Sequence, residues 1–158
     1  MTRSLIIIIS VVSLNVFAAF DKDTPVITEN TNIQNNSNND TLSNHMKIKI
    51  GSNTFTATLF DNATVTAFKA MLPLTLNMSE LNGNEKYFHF STNLPTDASN
   101  PGTIHTGDLM LWGSNSLVLF YQTFSTSYSY TKLGRIDDVS GLAGAVGSGS
   151  VTITFELE

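Results

Sequence analysis

The chain contains no cysteine. That excludes disulfides, thiolate metal sites and a cysteine nucleophile, and leaves the apolar core alone to hold the fold. Charge is also scarce. Asp, Glu, Lys and Arg make up 13% of the 158 residues, about half the usual share of roughly 25%. Only eight residues are basic, they form no cluster, and the formal net charge is −5. Binding to nucleic acid requires a basic face that neutralises phosphates, and an anionic membrane surface attracts the same kind of patch. Neither partner fits this chain. The three histidines, His45, His89 and His105, have no paired spacing that would hold a metal, and nothing in the sequence requires a cofactor.

Ser, Thr and Asn are abundant and must supply the polar surface. Such a surface suits an extracellular or periplasmic β protein and argues against a cytosolic helical enzyme. The segment "MTRSLIIIISVVSLNVFA" has the three-part build of a secretory signal. Arg3 provides the charge, Leu5 to Val12 the apolar run, and Val16 and Ala18 stand at the −3 and −1 positions of a cleavage site. The apolar run is short of the about 20 residues a membrane helix needs. Residues 1–18 are therefore expected to be a signal peptide cut after Ala18, the alternative being an uncleaved anchor. Residues 19–45 follow as a linker rich in Asn and Thr, too poor in apolar groups to offset the entropy of ordering. Asn35 and Asn39 fit the glycosylation pattern.

A single domain is expected over 46–158. "MKIKI" and "TFTATLF" alternate apolar and polar residues around "GSN", which reads as a β-hairpin. "DNATVTAFKAML" switches to helical spacing, with Asp61 as the expected N-cap and Pro73 as the stop, giving a helix over 62–72. "LTLNMSEL", "KYFHFS", "GDLMLWG", "LVLFYQTF" and "TKLGRI" read as strands. "DDVSGLAGAVG" reads as a second short helix capped by Asp137 or Asp138, and "SVTITFELE" as a closing strand. In "KYFHFS" the alternation puts Tyr87 and His89 on one face and Phe88 and Phe90 on the other. About eight strands and two short helices suggest a mainly β, closed eight-stranded barrel, since closure removes exposed edges. An interior of that size is just filled by side chains, so no large cavity is expected inside.

This layout resembles the cyclophilin fold, an eight-stranded barrel capped by two helices. "LFDNATVTAFKAML" resembles the first-helix segment of that family. "LVLFY" resembles the strand whose phenylalanine lines the cyclophilin groove, which places Phe120 there. "KLGRIDDVSGLAGAVG" resembles the Phe-Gly-Lys-Val segment and the helix after it. "GDLMLW…LVLFY…YTKLGRID" is closer still to small bacterial cyclophilin-like domains with no settled function. The resemblance covers residues 46–158.

It implies a groove, and a departure within it. Cyclophilins that isomerise X-Pro bonds, against a barrier of about 18–20 kcal/mol, use an arginine that follows a Phe-His pair. Here Phe88 and His89 are followed by Phe90. The Gln/Gly signature downstream is replaced by "STNLPTDASNPG", and the groove Trp and His fall near Ser125 and Tyr130. Arg135, the one arginine outside the first few residues, stands where the family has a structural lysine. Asp137-Asp138 reads as a cap with favourable charge at a helix start.

The aromatic residues are the better lead. Tyr and Trp join an apolar body to a polar tip, which suits shallow recognition. The candidate ligand-binding residues are Phe88, Phe90, Trp112, Phe120, Tyr128, Tyr130 and Arg135. Three readings follow. The first is a secreted or periplasmic monomer that binds a proline-containing or other extended peptide, without membrane insertion after signal cleavage. The second is a peptidyl-prolyl isomerase with an altered site, and the third an envelope glycan-binding or scaffold module.

Overall fold

A computed structural model describes residues 43–158. The signal-peptide segment and residues 19–42 of the linker lie outside the described residues. Ten strands and two helices follow in order: β1 (His45–Ile50), β2 (Asn53–Leu59), α1 (Ala63–Lys69), β3 (Leu74–Leu81), β4 (Glu85–His89), β5 (Thr103–Ile104), β6 (Asp108–Trp112), β7 (Ser116–Phe120), β8 (Phe124–Ser125), β9 (Thr131–Ile136), α2 (Leu142–Val146) and β10 (Val151–Leu157). His45, placed by composition in the linker, opens β1, where it pairs with Thr58.

Eight strands close into a barrel in the order β1-β10-β3-β4-β7-β6-β9-β2, and β5 and β8 form a separate two-stranded sheet. Neighbours in the barrel run antiparallel, so hairpin-like connections suffice wherever they are consecutive. The β1–β2 hairpin has a two-residue turn, tighter than "GSN" suggests, because Asn53 already pairs with Ile50. Gly51 takes the left-handed conformation that turn needs (φ 58°).

The alternating strands bury one face. Met46, Ile48 and Ile50 from β1 meet Phe155 and Ile153 from β10 in the barrel interior. The helices contribute to the same core: Val65 and Phe68 from α1, Leu142 and Val146 from α2. Phe68 meets Phe155 edge-on at 6.2 Å. Interior volume is thus filled by side chains, as expected for eight strands.

β6 and β7 differ from the alternating strands. Every residue of β7 and all but the last of β6 are buried. A near-continuous apolar run fits a strand covered on both faces. Leu109, Leu111, Leu117 and Leu119 face the barrel core. Met110, Val118 and Phe120 face outward into a second apolar cluster with Ile104 and Tyr130. The segments that supply β5 and β8 therefore form an outer layer over this side of the barrel.

Local signals differ from expectation at both helices. α1 spans Ala63–Lys69 rather than 62–72, and its N-cap is Asn62, whose side-chain oxygen accepts from the Val65 N–H at 2.9 Å. Asn62 also donates to the Lys132 carbonyl, a long-range bond that an acceptor-only carboxylate such as Asp61 cannot make. α2 starts at Leu142 after Gly141, with no side-chain cap. Asp137 instead accepts from the Thr58 hydroxyl at 2.8 Å, and Asp138 accepts from the Ser140 N–H. Both carboxylates are spent on the approach to the helix.

Candidate functional site

The outer layer leaves a groove of about 520 Å³ on the barrel's flank. Its floor is the outward face of β4 and β7: Glu85, Tyr87 and His89 from one, Ser116 and Val118 from the other. One wall is the segment 124–130, from Phe124 to Tyr130. Trp112 borders one end and Leu81, Asn82 and Asn84 the other. β4 builds the floor by strict alternation. Lys86 and Phe88 turn into the barrel, so Glu85, Tyr87 and His89 must turn out.

The wall is held by its backbone. Tyr130 exchanges two hydrogen bonds with Ser99, both at 3.0 Å, and the Thr126 N–H donates to the Gly102 carbonyl at 2.9 Å. Phe120, fully buried, supports the wall from below. Its ring lies 5.5 Å from Tyr130, edge-on, and 5.7 Å from Phe124. On the floor, His89 Nδ1 shares a hydrogen bond of 2.6 Å with the Ser116 hydroxyl. The Tyr87 and His89 rings are 5.1 Å apart.

The end near Asn84 is fixed by a polar cluster at the barrel rim. Lys86 is fully buried and donates to the Gly147 and Gly149 carbonyls at 2.9 and 2.6 Å, and to the Glu80 carboxylate. Glu80 also accepts from the Tyr121 hydroxyl (2.8 Å) and the Gly83 N–H (2.9 Å). Burial acts to raise the Glu80 carboxyl, but hydrogen bonds from Lys86 and Tyr121 and the Lys86 charge outweigh it and hold it below the usual carboxylate range. Tyr121 is pushed up to about 12 by burial and by Glu80. Among the described residues Glu85 has no such partners. Burial, with Glu80 nearby, pushes its carboxyl up to about 7. Burial and the Glu85 charge in turn raise Tyr130.

The sequence-derived candidates separate into three sets. Trp112, Tyr128 and Tyr130 line the groove. Phe120 lies beneath it. Phe88 and Phe90 face the barrel core, where Phe90 is 6% exposed. The alternation that lifts Tyr87 and His89 to the groove sends these two inward. Arg135 lies outside the groove lining. Its Nε donates to the buried Asp108 carboxylate at 2.6 Å, across the β6–β9 ladder. Asp108 in turn accepts from the His105 N–H, so Arg135 neutralises a structural acid. Glu85, Tyr87, His89 and Asn84 are groove residues that sequence reasoning passed over. The alternation of "EKYFH" carried the signal for three of them, but not which face the outer layer would leave open.

A family model described as "Cyclophilin-like family" matches residues 48–156. The chain belongs to the cyclophilin-like family. Among solved structures, the solution structure of the hypothetical protein AF2241 from Archaeoglobus fulgidus is similar, with a TM-score of 0.56 and 20% identity over 73% of this chain and 95% of that one. At that identity the likeness concerns the fold. No curated protein matches the sequence. Within this cyclophilin-like barrel, the groove lining contains neither arginine nor lysine, and among the described residues no group of His, Asp and Glu could hold a metal ion.

Proposed function

We propose that this cyclophilin-like domain binds a short extended peptide in the groove over β4 and β7. One observation carries the reading. Of the five large hydrophobic residues exposed among those described, three border this groove: Leu81 at 43%, Trp112 at 50% and Tyr128 at 65%. Clustered apolar exposure rimmed by polar groups marks an interaction surface, and Trp and Tyr are the residues that dominate such contacts. The floor from Glu85 to His89 spans four strand steps, about 13 Å, which matches four or five residues of extended chain. Ser, Thr and Asn around the wall supply hydrogen-bond partners without adding charge. The isomerase alternative would need an electrostatic device other than a groove arginine, because Arg135 is committed to Asp108.

Titration of the full chain with five-residue peptides, with and without an Ala-Pro pair, tests this by NMR. Resonances of Trp112, Tyr128 and Tyr130 are expected to shift. The double variant Trp112→Ala, Tyr128→Ala is expected to weaken binding about tenfold or more with its fold intact, since both side chains are exposed. Unchanged affinity in that variant would place binding elsewhere. Exchange spectroscopy on the Ala-Pro peptide in the same samples reads catalysis, and exchange above background would favour the isomerase reading. The proposal includes export, with the domain acting outside the cytoplasm as a monomer after removal of residues 1–18.

A further inference from the structure

The groove has two chemically different ends. Near His89 and Ser116 lies the indole of Trp112. Near the β3–β4 turn lie two acceptors without a donor. Asn84 Oδ1 is buried and has no hydrogen-bond partner, and the Glu85 carboxylate takes part in none of the ion pairs among the described residues. Both residues line the groove. Buried polar atoms in folded proteins are nearly always paired, so an orphan beside a ligand surface needs a cause.

Among the described residues, no Lys or Arg lines this end of the groove. Lys86, next in sequence, points into the barrel and is saturated by Glu80 and two carbonyls. Arg135 holds Asp108, Lys47 and Lys49 pair with Glu158 and Glu156, and Lys69 donates to Asn44. The surroundings of the acceptor pair are aromatic. Phe120 is the cross-strand partner of Glu85, Tyr130 feels its charge, and Tyr87 follows on the same strand face. Aromatic faces attract cations, more strongly where water is reduced, and a carboxylate beside them accepts charge-assisted hydrogen bonds. The upward displacement of Glu85 to about 7 reflects burial of a carboxylate without a counter-charge, which a bound cation would supply.

We infer that the Asn84–Glu85 end of the groove receives the cationic side chain, Lys or Arg, of an extended peptide whose apolar side chain lies towards Trp112. This rests on the peptide-groove reading above and adds its specificity. An ammonium or guanidinium carries several donors and no acceptor, which matches a carboxylate and an unpartnered amide oxygen on consecutive residues.

The test uses the full chain and four blocked five-residue peptides that share one leucine and differ at one position: Lys, Arg, norleucine or Glu. Affinities are measured at pH 8 by calorimetry. Lys and Arg peptides are expected to bind about tenfold more tightly than the norleucine peptide, and the Glu peptide most weakly. Glu85→Gln, which keeps shape and removes charge, is expected to bring the Lys and norleucine affinities within about twofold of each other. Asn84→Ala is expected to reduce the Lys preference in part. Equal binding of all four peptides would overturn the cation assignment and leave the groove reading standing. A Lys preference that survives Glu85→Gln would overturn it as well. Binding of none would overturn both.

Discussion

Among the described residues Glu85 is a carboxylate with no cation partner, and Tyr87 and Tyr130 line the groove beside it. Its titration has a consequence for stability. Burial and Glu80 raise its folded-state value to about 7, against an ordinary 4.5. The folded chain therefore holds this proton more tightly than the unfolded chain does. The stabilisation is fully present below pH 4.5 and is lost as pH rises through about 7. The titratable groups around it are Glu80, Tyr121 and Tyr130, with His89 farther along the same face. Glu80 has the opposite sign, since its lowered value contributes stability that is lost on acidification. Glu85→Gln is expected to flatten the fall between pH 5 and 7 and to raise stability at pH 8 by about 1–2 kcal/mol, discounted for partial exposure. Urea unfolding at four pH values measures it. A parallel displacement of both curves at every pH would remove Glu85 as the cause.

At the level of elements, the β3–β4 hairpin is tied to the segment before β10 by one side chain. Lys86 leaves β4, enters the barrel and ends on the carbonyls of Gly147 and Gly149, with Glu80 of β3 as its counter-ion. The Tyr121 ring lies 5.3 Å from the ammonium. Truncating one partner of such a buried pair is costly because the other groups lose their compensation. Lys86→Ala is expected to destabilise the domain by about 3 kcal/mol or more, whereas Lys86→Met, which keeps the volume, costs less. Chemical denaturation of the two variants decides it, and equal stability of Lys86→Ala and the parent would exclude the tie. Because the Tyr121 N–H also donates to the Asn84 carbonyl at 2.9 Å, the same tie holds the acceptor end of the groove in place.

For the molecule as a whole, the closed barrel leaves no free edge among its eight strands, and without cysteine the core carries stability by itself. The outer layer then has a free choice of where to leave an opening, and it leaves one beside Trp112 and Tyr128. The proposed export is tested at this scale. With Arg3 removed, seven basic and 13 acidic residues give −6. Expression of the full chain in a host with a general secretory route is expected to yield a product beginning at Ala19, read by intact mass. A product that retains residues 1–18 would instead favour the anchor.

The sequence by itself determined the strand-rich domain, the position of both short helices and the filled interior. Period-2 alternation fixes which residues of a strand share a face, but that β6 and β7 are covered on both faces came from the structure. At Gly134 a Cβ would stand 2.6 Å from the Thr58 carbonyl oxygen, so the β2–β9 pairing requires a glycine there. Tertiary structure alone decided the site. Alternation defines two faces of "EKYFH" but not which of them an outer loop leaves open, and that depends on Tyr130 pairing with Ser99. The role of Arg135 depended on Asp108, 27 residues away, becoming its cross-strand partner. The N-cap passed from Asp61 to Asn62 because Asn62 also reaches the Lys132 carbonyl, 70 residues on. Local patterns encode contacts made along the chain, whereas the groove is assembled from contacts made across it.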